Sequence, residues 1–233
     1  MDSSQSALPT TKSYIVIGGA SGMGLATVHT LLNRGAQVAV SDTSRPNLDS
    51  LSANLSPTTS RRCLIQPVDV TDKIALHGFF HARSGTSDDE YEYEYLMNLN
   101  VRGLFNVLST ALVPGFLGSG ESVVHVESIF SQRGFRNGAA FAASRYAALG
   151  MVRSAAIETQ GRVRVNHVLP GVIDTPMHRA NLARVKDFTT TPTTPIARDG
   201  TAQEVANVVA SLLSEESSFV TGNAWNVDGG ANC

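Results

Sequence analysis

Three closely spaced glycines are suited to holding a phosphate group against the backbone. They follow the apolar run 14–17 in a loop of sequence GGASGMG. The first glycine permits a tight turn, the second lets a pyrophosphate approach the backbone, and the third lets the following helix pack closely on the strand. The free N–H groups and the positive dipole end of that helix attract phosphate. The residues expected to contact such a ligand are Gly18, Ser21, Gly22, Met23 and Gly24.

Asp42 indicates which phosphate-containing ligand this loop takes. It stands at the end of the next apolar run, 37–40. A carboxylate in that place accepts hydrogen bonds from the adenosine ribose hydroxyls of a dinucleotide and repels a 2′-phosphate. The expected cofactor is therefore NAD(P)(H), with NAD favoured by Asp42, although Arg45 would weaken that preference.

Strand-like and helix-like segments alternate along the chain, as a parallel sheet with crossover helices requires. We expect one α/β domain over residues 14–233, a doubly wound parallel sheet of Rossmann type. A flexible N-terminal tail is expected at 1–13, and a mobile, Thr/Pro-rich substrate loop at 178–200. The predicted strands are 14–17, 37–40, 63–65, 122–126, 163–169 and 223–227, and the predicted helices are 25–32, 72–82, 91–117, 137–160 and 201–214.

The composition excludes several classes of protein. Lys+Arg 18 nearly balances Asp+Glu 20, which argues against a nucleic-acid or anionic-membrane partner. Cys63 and Cys233 are too few for a disulfide framework or a cysteine-based metal site. His125 and His167 lie on apolar strands, where we expect core histidines bonded to the backbone, and no metal is expected. No apolar run reaches the ~18 residues of a membrane span, and the first residues lack a signal peptide, so we expect a soluble cytoplasmic protein.

Several further motifs, in the right order, resemble those of the short-chain dehydrogenase/reductase family. The glycine spacing G-x-x-x-G-x-G is similar to that family's cofactor loop. The likeness extends over about residues 14–230. The other matching segments are Asp69-Val70, 98–103 (NLNVRG), 126–128 (VES), 164–175 (RVNHVLPGVIDT), 219–222 (FVTG) and 227–230 (VDGG).

The resemblance implies a role for each matching position. Ser128 would hold the substrate oxygen, and Asn100 would order a water chain beside it. A pair after the third strand would contact the adenine, and the segment after residue 170 would hold the nicotinamide carboxamide; these residues are Asp69, Val70, Val172 and Thr175. Members of the family are commonly dimers or tetramers, so the resemblance also implies a homo-oligomer formed through the helices at 91–117 and 137–160.

The chain departs from the family at the catalytic Tyr-x-x-x-Lys motif. Phe141 stands at the tyrosine position and Arg145 at the lysine position. Phenylalanine has no proton to donate. Arginine can bind ribose hydroxyls, but its pKa above ~12 prevents it from relaying protons. Tyr146 is rotated off the cofactor face of the helix, so the family's proton donor is absent.

Charged residues flank Ser128 on both sides. Glu127 stands where the family has a small residue, and neighbouring residues on a strand point to opposite faces. We therefore expect Glu127 to pair with an arginine such as Arg133 or Arg153 rather than to face the nicotinamide. Arg133 and Arg136 follow Ser128, where they could bind a substrate carboxylate or lie in solvent.

The segment between Asp69 and Asn100 is shorter than the family's pattern requires. The family has there a helix, a buried central strand and a second helix, whereas no β-rich run separates the helices predicted at 72–82 and 91–117. The shortfall is about 15 residues, so the usual fourth strand is expected to be missing. Either the first strand pairs directly with the strand that carries Ser128, or the sequence lacks a segment of the working protein.

Two functions are compatible with these features. The first is NAD(P)-dependent hydride transfer to or from a small-molecule carbonyl, alcohol or imine, with Ser128 on the substrate and Arg145 on the ribose. An iminium carbon is already cationic and would not need the missing acid. The alternative is a protein of this fold without redox activity, a cyclase or isomerase or an inactive partner of an active homologue, which Phe141 and Arg145 favour.

Overall fold

The computed structural model describes residues 12–69, 90–135, 138–184 and 194–233. The predicted alternation of strands and helices is present, and the fold is a single α/β domain with parallel sheets. The strands are β1 (Ser13–Ile17), β2 (Gln37–Asp42), β3 (Cys63–Pro67), β4 (Glu121–Val126), β5 (Val163–Pro170), β6 (Ile173–Asp174), β7 (Gly200–Thr201) and β8 (Ala224–Val227). The helices are α1 (Gly22–Asn33), α2 (Arg45–Asn54), α3 (Pro57–Ser60), α4 (Glu90–Leu96), α5 (Gly103–Ala111), α6 (Ala139–Glu158), α7 (Pro176–Arg184) and α8 (Ala202–Leu213).

Six of the strands form two three-stranded parallel sheets, and β6 and β7 form a short two-stranded one. In the first, β2 lies between β1 and β3, and in the second, β5 lies between β4 and β8. Within the described ranges no ladder joins β1 to β4, so direct pairing of these two strands, one of the alternatives left open by the sequence, is wrong. The segment in which the fourth strand was expected to be missing, 70–89, and the helix predicted at 72–82 lie outside the described residues.

Helix α8 connects the two sheets. Its residue Ala210 belongs to the apolar cluster beneath β1, β2 and α1, whereas Val205 and Val209 belong to a cluster with β5. Met23 at the start of α1 packs against this second cluster. The amide of Gln203 also donates to the Thr30 hydroxyl on α1 at 2.8 Å. These contacts hold the cofactor loop of the first sheet beside the carboxyl ends of the second.

Two boundaries of structural elements differ from those predicted from the sequence. β1 begins at Ser13, within the predicted tail, and residues 1–11 lie outside the described part of the chain. The expectation of irregular structure over 178–200 is wrong for its first residues, because α7 extends to Arg184. Thr175 accepts a hydrogen bond from the His178 backbone at 3.2 Å, and Pro176 follows it, which together are a helix-start signal.

The helix predicted at 91–117 is interrupted and ends early. It begins at Glu90, takes a π-helical turn at Met97–Arg102 and continues as α5 to Ala111. Single π-helical turns inside longer helices often occur at functional sites. Asn100 lies in this one, so the wider turn sets the direction of a predicted catalytic side chain.

Candidate functional site

The glycine-rich loop between β1 and α1 adopts a backbone that needs glycine. Gly18 has φ +72° and Gly22 has φ +50°, values that other residues rarely adopt. A Cβ added at Gly24 would lie 2.0 Å from the Gly18 carbonyl oxygen, so the close packing expected at this position is present. Ser21 makes no side-chain hydrogen bond to the first turn of α1 in the described structure. The backbone N–H groups of that turn can therefore donate hydrogen bonds to an anion.

Asp42 ties the glycine-rich loop to the end of β2. Its Oδ2 accepts a hydrogen bond from the Ala20 backbone at 3.1 Å, and its Oδ1 accepts one from the Ser44 backbone at 3.0 Å. Each carboxylate oxygen has further acceptor capacity, so ribose hydroxyls can still bind. The sequence analysis missed this anchoring role. Its signal is an aspartate that ends a strand two residues before a helix-capping serine, a pattern typical of an Asx turn.

Thr175 lies beside the glycine-rich loop although the two are far apart in sequence. A Cβ added at Gly22 would lie 3.5 Å from the Thr175 Cγ2 atom. Val172, in the same segment, accepts a hydrogen bond from the Gly200 backbone at 2.9 Å. The fold thus brings the loop predicted to bind the pyrophosphate next to a residue predicted to hold the nicotinamide carboxamide. Asp69 follows β3 by two residues, and Val70 lies outside the described residues.

Ser128 lies just past the carboxyl end of β4, and Asn100 contacts α6. Ser128 follows β4, and its hydroxyl accepts a hydrogen bond from the Phe130 backbone at 3.3 Å. The Asn100 amide donates to the Ser144 hydroxyl at 3.0 Å, and that hydroxyl donates to the Phe141 carbonyl at 2.8 Å. Asn100 is therefore bonded to the turn of α6 that carries the family's tyrosine position.

Phe141 is part of an aromatic cluster. Its ring centroid lies 6.1 Å from that of Phe130 and 5.9 Å from that of Phe135, both edge to face, and those two rings are 4.3 Å apart. The Phe135 ring rests on Gly138, where an added Cβ would lie 2.0 Å from Cζ. The apolar ring of Phe141, packed against two other phenylalanines, therefore occupies the position where the family has the tyrosine hydroxyl.

Arg145 is paired with Glu127. An Nη1 atom of the guanidinium donates to Oε2 of Glu127, and the guanidinium carbon lies 4.5 Å from the centroid of the Phe141 ring. The expectation that Glu127 would pair with Arg133 or Arg153 is therefore wrong. The register of α6 over the end of β4 decides the partner, and that register is a tertiary property. The Glu127 side chain is 0% exposed and that of Arg145 is 21% exposed, so a substrate can reach only the arginine.

The environment of Glu127 favours its protonated form. Burial raises the pKa of Glu127 to about 7, and the charge and hydrogen bond of Arg145 lower it only in part. Oε1 of Glu127 and Nε of Arg145 are buried and have no hydrogen-bond partner among the described residues. Burying these two charged groups therefore carries a large desolvation cost, and the single contact between them offsets only part of it.

Arg133, a candidate substrate residue, lies at the edge of the aromatic cluster. It is exposed, its guanidinium carbon lies 5.6 Å from the Phe130 ring centroid, and it donates to the Ala231 carbonyl at 2.6 Å. It therefore connects the loop after Ser128 to the C-terminal segment. Arg136 lies outside the described residues.

His125 and His167 behave as core histidines. Their Nδ1 atoms are 3.4 Å apart, and Nε2 of His167 lies 3.2 Å from the Ala148 carbonyl oxygen. Burial lowers the pKa of His125 to about 3 and that of His167 to about 4. Both rings are therefore neutral near neutral pH, as expected of histidines that serve packing.

Known proteins resemble the chain over nearly its whole length. Residues 74–232 match the family model described as enoyl-(acyl carrier protein) reductase. The short-chain dehydrogenase/reductase ABA4 of Pyricularia oryzae is 32% identical, with 94% of this chain and 91% of that protein covered. The chain belongs to the short-chain dehydrogenase/reductase family. A second relative, the 3-oxoacyl-acyl-carrier-protein reductase FabG of Thermotoga maritima, is 32% identical, with 94% of this chain and 97% of that protein covered.

Solved short-chain dehydrogenase/reductase structures share the fold. A crystal structure of levodione reductase superposes with a TM-score of 0.80 at 26% identity, covering 94% of this chain and 96% of that chain. A family member from Brucella melitensis, described as glucose/ribitol dehydrogenase, gives 0.82 at 26% identity, covering 97% and 98%. The chain is therefore an oxidoreductase-family member with the family's architecture.

The alignment of the chain to one family relative has more positions than the chain has residues. The alignment to the Pyricularia protein spans 246 positions, and this chain has 233 residues. That relative therefore holds residues, within the matched region, that have no counterpart here. This agrees with an internal shortfall relative to other short-chain dehydrogenases/reductases.

Membrane-spanning helices and clusters of metal-ligating side chains are both absent from the described residues. No helix in the described ranges is long and apolar enough to cross a membrane. Over the same ranges, no three His, Cys, Asp or Glu side chains gather in a way that could hold a metal ion.

Proposed function

We propose that this chain binds NAD(H) in preference to NADP(H) and transfers hydride to or from a small-molecule carbonyl, alcohol or imine carbon. The observation that supports the proposal is the approach of Gly22 to Thr175: the glycine-rich loop proposed to bind the pyrophosphate lies next to the segment proposed to hold the nicotinamide. When bound, the nicotinamide supplies or accepts the hydride.

The described residues fit such a cofactor. The first turn of α1 and the left-handed Gly18 and Gly22 leave backbone room for a pyrophosphate. Asp42 would bind the adenosine ribose while it holds the loop in place. Thr175 and the Val172 backbone would hold the carboxamide, and Asp69 with Val70 would border the adenine.

At the reacting end, the chain orients the substrate but supplies no tyrosine proton. Ser128 would hydrogen-bond the substrate oxygen or nitrogen, and Asn100 would hold water against the π-helical turn. Arg145 would contact the nicotinamide ribose through the guanidinium edge that Glu127 does not occupy. Phe141 can exclude water but cannot protonate an alkoxide. Any proton must come from water, from Ser128 or from the substrate.

The test is a fluorescence titration with NADH and with NADPH. We expect NADH to bind at least about tenfold more tightly, because the Asp42 carboxylate repels the 2′-phosphate. Asp42→Asn removes the charge at nearly constant size and should bring the two dissociation constants within a few-fold of each other. Asp49→Asn, an exposed acid on α2, is the matched control and should change neither. Failure of both nucleotides to bind would refute the proposal.

Phe141 favours a second candidate function. Since it removes the proton donor and stacks under an arginine already paired with Glu127, the fold could serve a cyclase or isomerase, or an inactive partner subunit. Tight NADH binding without turnover over a panel of carbonyls, alcohols and imines would favour that alternative.

We further propose that the chain forms a homo-oligomer through α5 and α6. Between these helices lies an apolar groove that includes Phe105, Leu108, Val113 and Met151, and Phe105 is 53% exposed. A second copy of the same groove would cover these side chains.

Light scattering after size-exclusion chromatography tests this interface. Phe105→Glu places a charge in the groove and should convert the oligomer to monomers at micromolar concentration. Phe219→Glu, at a fully exposed position outside the groove, should leave the oligomer unchanged. A wild-type monomer would contradict the proposed assembly.

A further inference from the structure

When Glu127 is ionised, the Glu127–Arg145 ion pair carries no net charge at the place where the family has a positively charged lysine. The guanidinium is partly exposed, whereas the carboxylate of Glu127 is fully buried. His125 and His167, the titratable groups packed around the pair on β4 and β5, are uncharged near neutral pH. Arg153, which acts on His167, is exposed. Apart from Arg133, which lies at the outer edge of the aromatic cluster, these described groups therefore add little net charge to the pair.

We propose that the Glu127–Arg145 pair makes the reacting end of the site electrically neutral and thereby selects a cationic hydride acceptor, an iminium ion, over a neutral carbonyl. This inference rests on the proposed function, since it concerns the substrate class of the same site. Glu127 acts through Arg145 and does not touch the substrate, so it is a positioning residue.

An iminium acceptor also removes the need for the missing tyrosine. The iminium carbon gains a hydrogen together with its electron pair, and a new C–H bond forms as the nicotinamide C–H bond breaks. The C=N π pair moves to nitrogen, which becomes a neutral amine, and the positive charge passes to the nicotinamide ring. No proton enters or leaves. One positive charge is present before the transfer, on the iminium ion, and one after it, on the nicotinamide ring. A neutral pocket accommodates both states equally well.

A lone guanidinium would disfavour both cationic states. Without the Glu127 carboxylate, Arg145 would repel an iminium ion and, for the same reason, the cationic ring of NAD⁺. NADH has a neutral ring and differs from NAD⁺ by little else. The ratio of the dissociation constants of NAD⁺ and NADH therefore reports the charge at the reacting end without any substrate.

The experiment measures that ratio in Glu127→Gln, in Arg145→Gln and in the double variant. Glu127→Gln should raise the NAD⁺/NADH ratio of dissociation constants on the order of tenfold. Arg145→Gln should lower it, and the double variant should return it to near the wild-type value. Glu127→Asp keeps the charge and should retain the wild-type ratio. Glu121→Gln, an exposed glutamate at the other end of the same strand, is the matched control.

The outcomes separate this inference from the proposed function. A Glu127→Gln ratio equal to that of wild type, with NADH still bound, would overturn the inference and leave cofactor binding intact. Absence of binding by the wild type would overturn both. As a second measurement, the wild type should reduce N-methylpyrrolinium, a permanent iminium cation, faster than cyclopentanone, and the reverse order would contradict the inference.

Discussion

Carbonyl reduction is expected to appear when Phe141→Tyr, Arg145→Lys and Glu127→Ser are combined, at a rate at least about 100-fold above that of the unmodified chain. A positioned general acid contributes about 10²–10⁴-fold to such reactions, and Phe141 lacks one. The Phe141→Tyr and Arg145→Lys changes alone are expected to gain far less. The buried Glu127 carboxylate would form an ion pair with the new lysine, as it does with Arg145. That ion pair would hold the lysine away from the ribose and the tyrosine.

The measurement is kcat/KM for a small ketone with NADH. The matched control carries Arg145→Lys and Glu127→Ser but keeps Phe141, and should stay near the wild-type rate. A folded, NADH-binding triple variant with no gain would show that these side chains do not limit the activity, and would turn attention to the shortened segment between Asp69 and Asn100.

Arg145→Met is expected to destabilise the chain in a pH-dependent way. It leaves the Glu127 carboxylate buried without its partner, and burial already raises the pKa of Glu127 to about 7. A carboxyl whose pKa is higher in the folded chain releases its proton on unfolding, so the free energy of unfolding falls as pH rises above the unfolded value. We expect a loss of about 2–3 kcal/mol at about pH 8 and about 1 kcal/mol at about pH 6.

Urea unfolding at both pH values tests this expectation. Adding Glu127→Gln to Arg145→Met removes the titrating group, so the difference between the two pH values should disappear. An equal loss for Arg145→Met at both pH values would mean that lost packing on Phe141, and not the unpaired carboxylate, explains the destabilisation.

Local features of the sequence predict the glycine-rich loop and its flanking elements well, whereas helices α2 and α3 were not predicted. The glycine spacing, the strand before it and the helix after it are set by neighbours in sequence, and the tight approach at Gly24 follows from the same spacing. Asp42 was correctly placed at the end of β2. Its bonds to Ala20 and Ser44 were missed, because they arise only when the loop folds back on that strand end.

The reacting end could be predicted only in part. The absence of tyrosine at Phe141 is visible in the sequence. The partner of Glu127 depends on how α6 crosses the end of β4, which no local pattern encodes. The π-helical turn at Asn100 likewise depends on packing against α6, where Ser144 receives the amide hydrogen bond.

The pairing of the strands is the feature that local sequence patterns predict least. The chain has the motifs of the family on both sides of the shortfall, yet β1 and β4 belong to separate ladders in the described ranges. Helix α8 packs on both halves and keeps Gly22 beside Thr175. Among the described residues, side-chain packing on that helix therefore helps to hold the candidate cofactor site together.

A crystal structure of the chain grown with saturating NADH would show whether the glycine-rich loop binds a nicotinamide cofactor. We predict the pyrophosphate against the first turn of α1, between Gly22 and Thr175, and the adenosine ribose on Asp42. Arg145 should still bond to Glu127 beside the nicotinamide. A structure with this site empty, or with NADH bound elsewhere, would contradict the claim that the chain is a nicotinamide-dependent oxidoreductase.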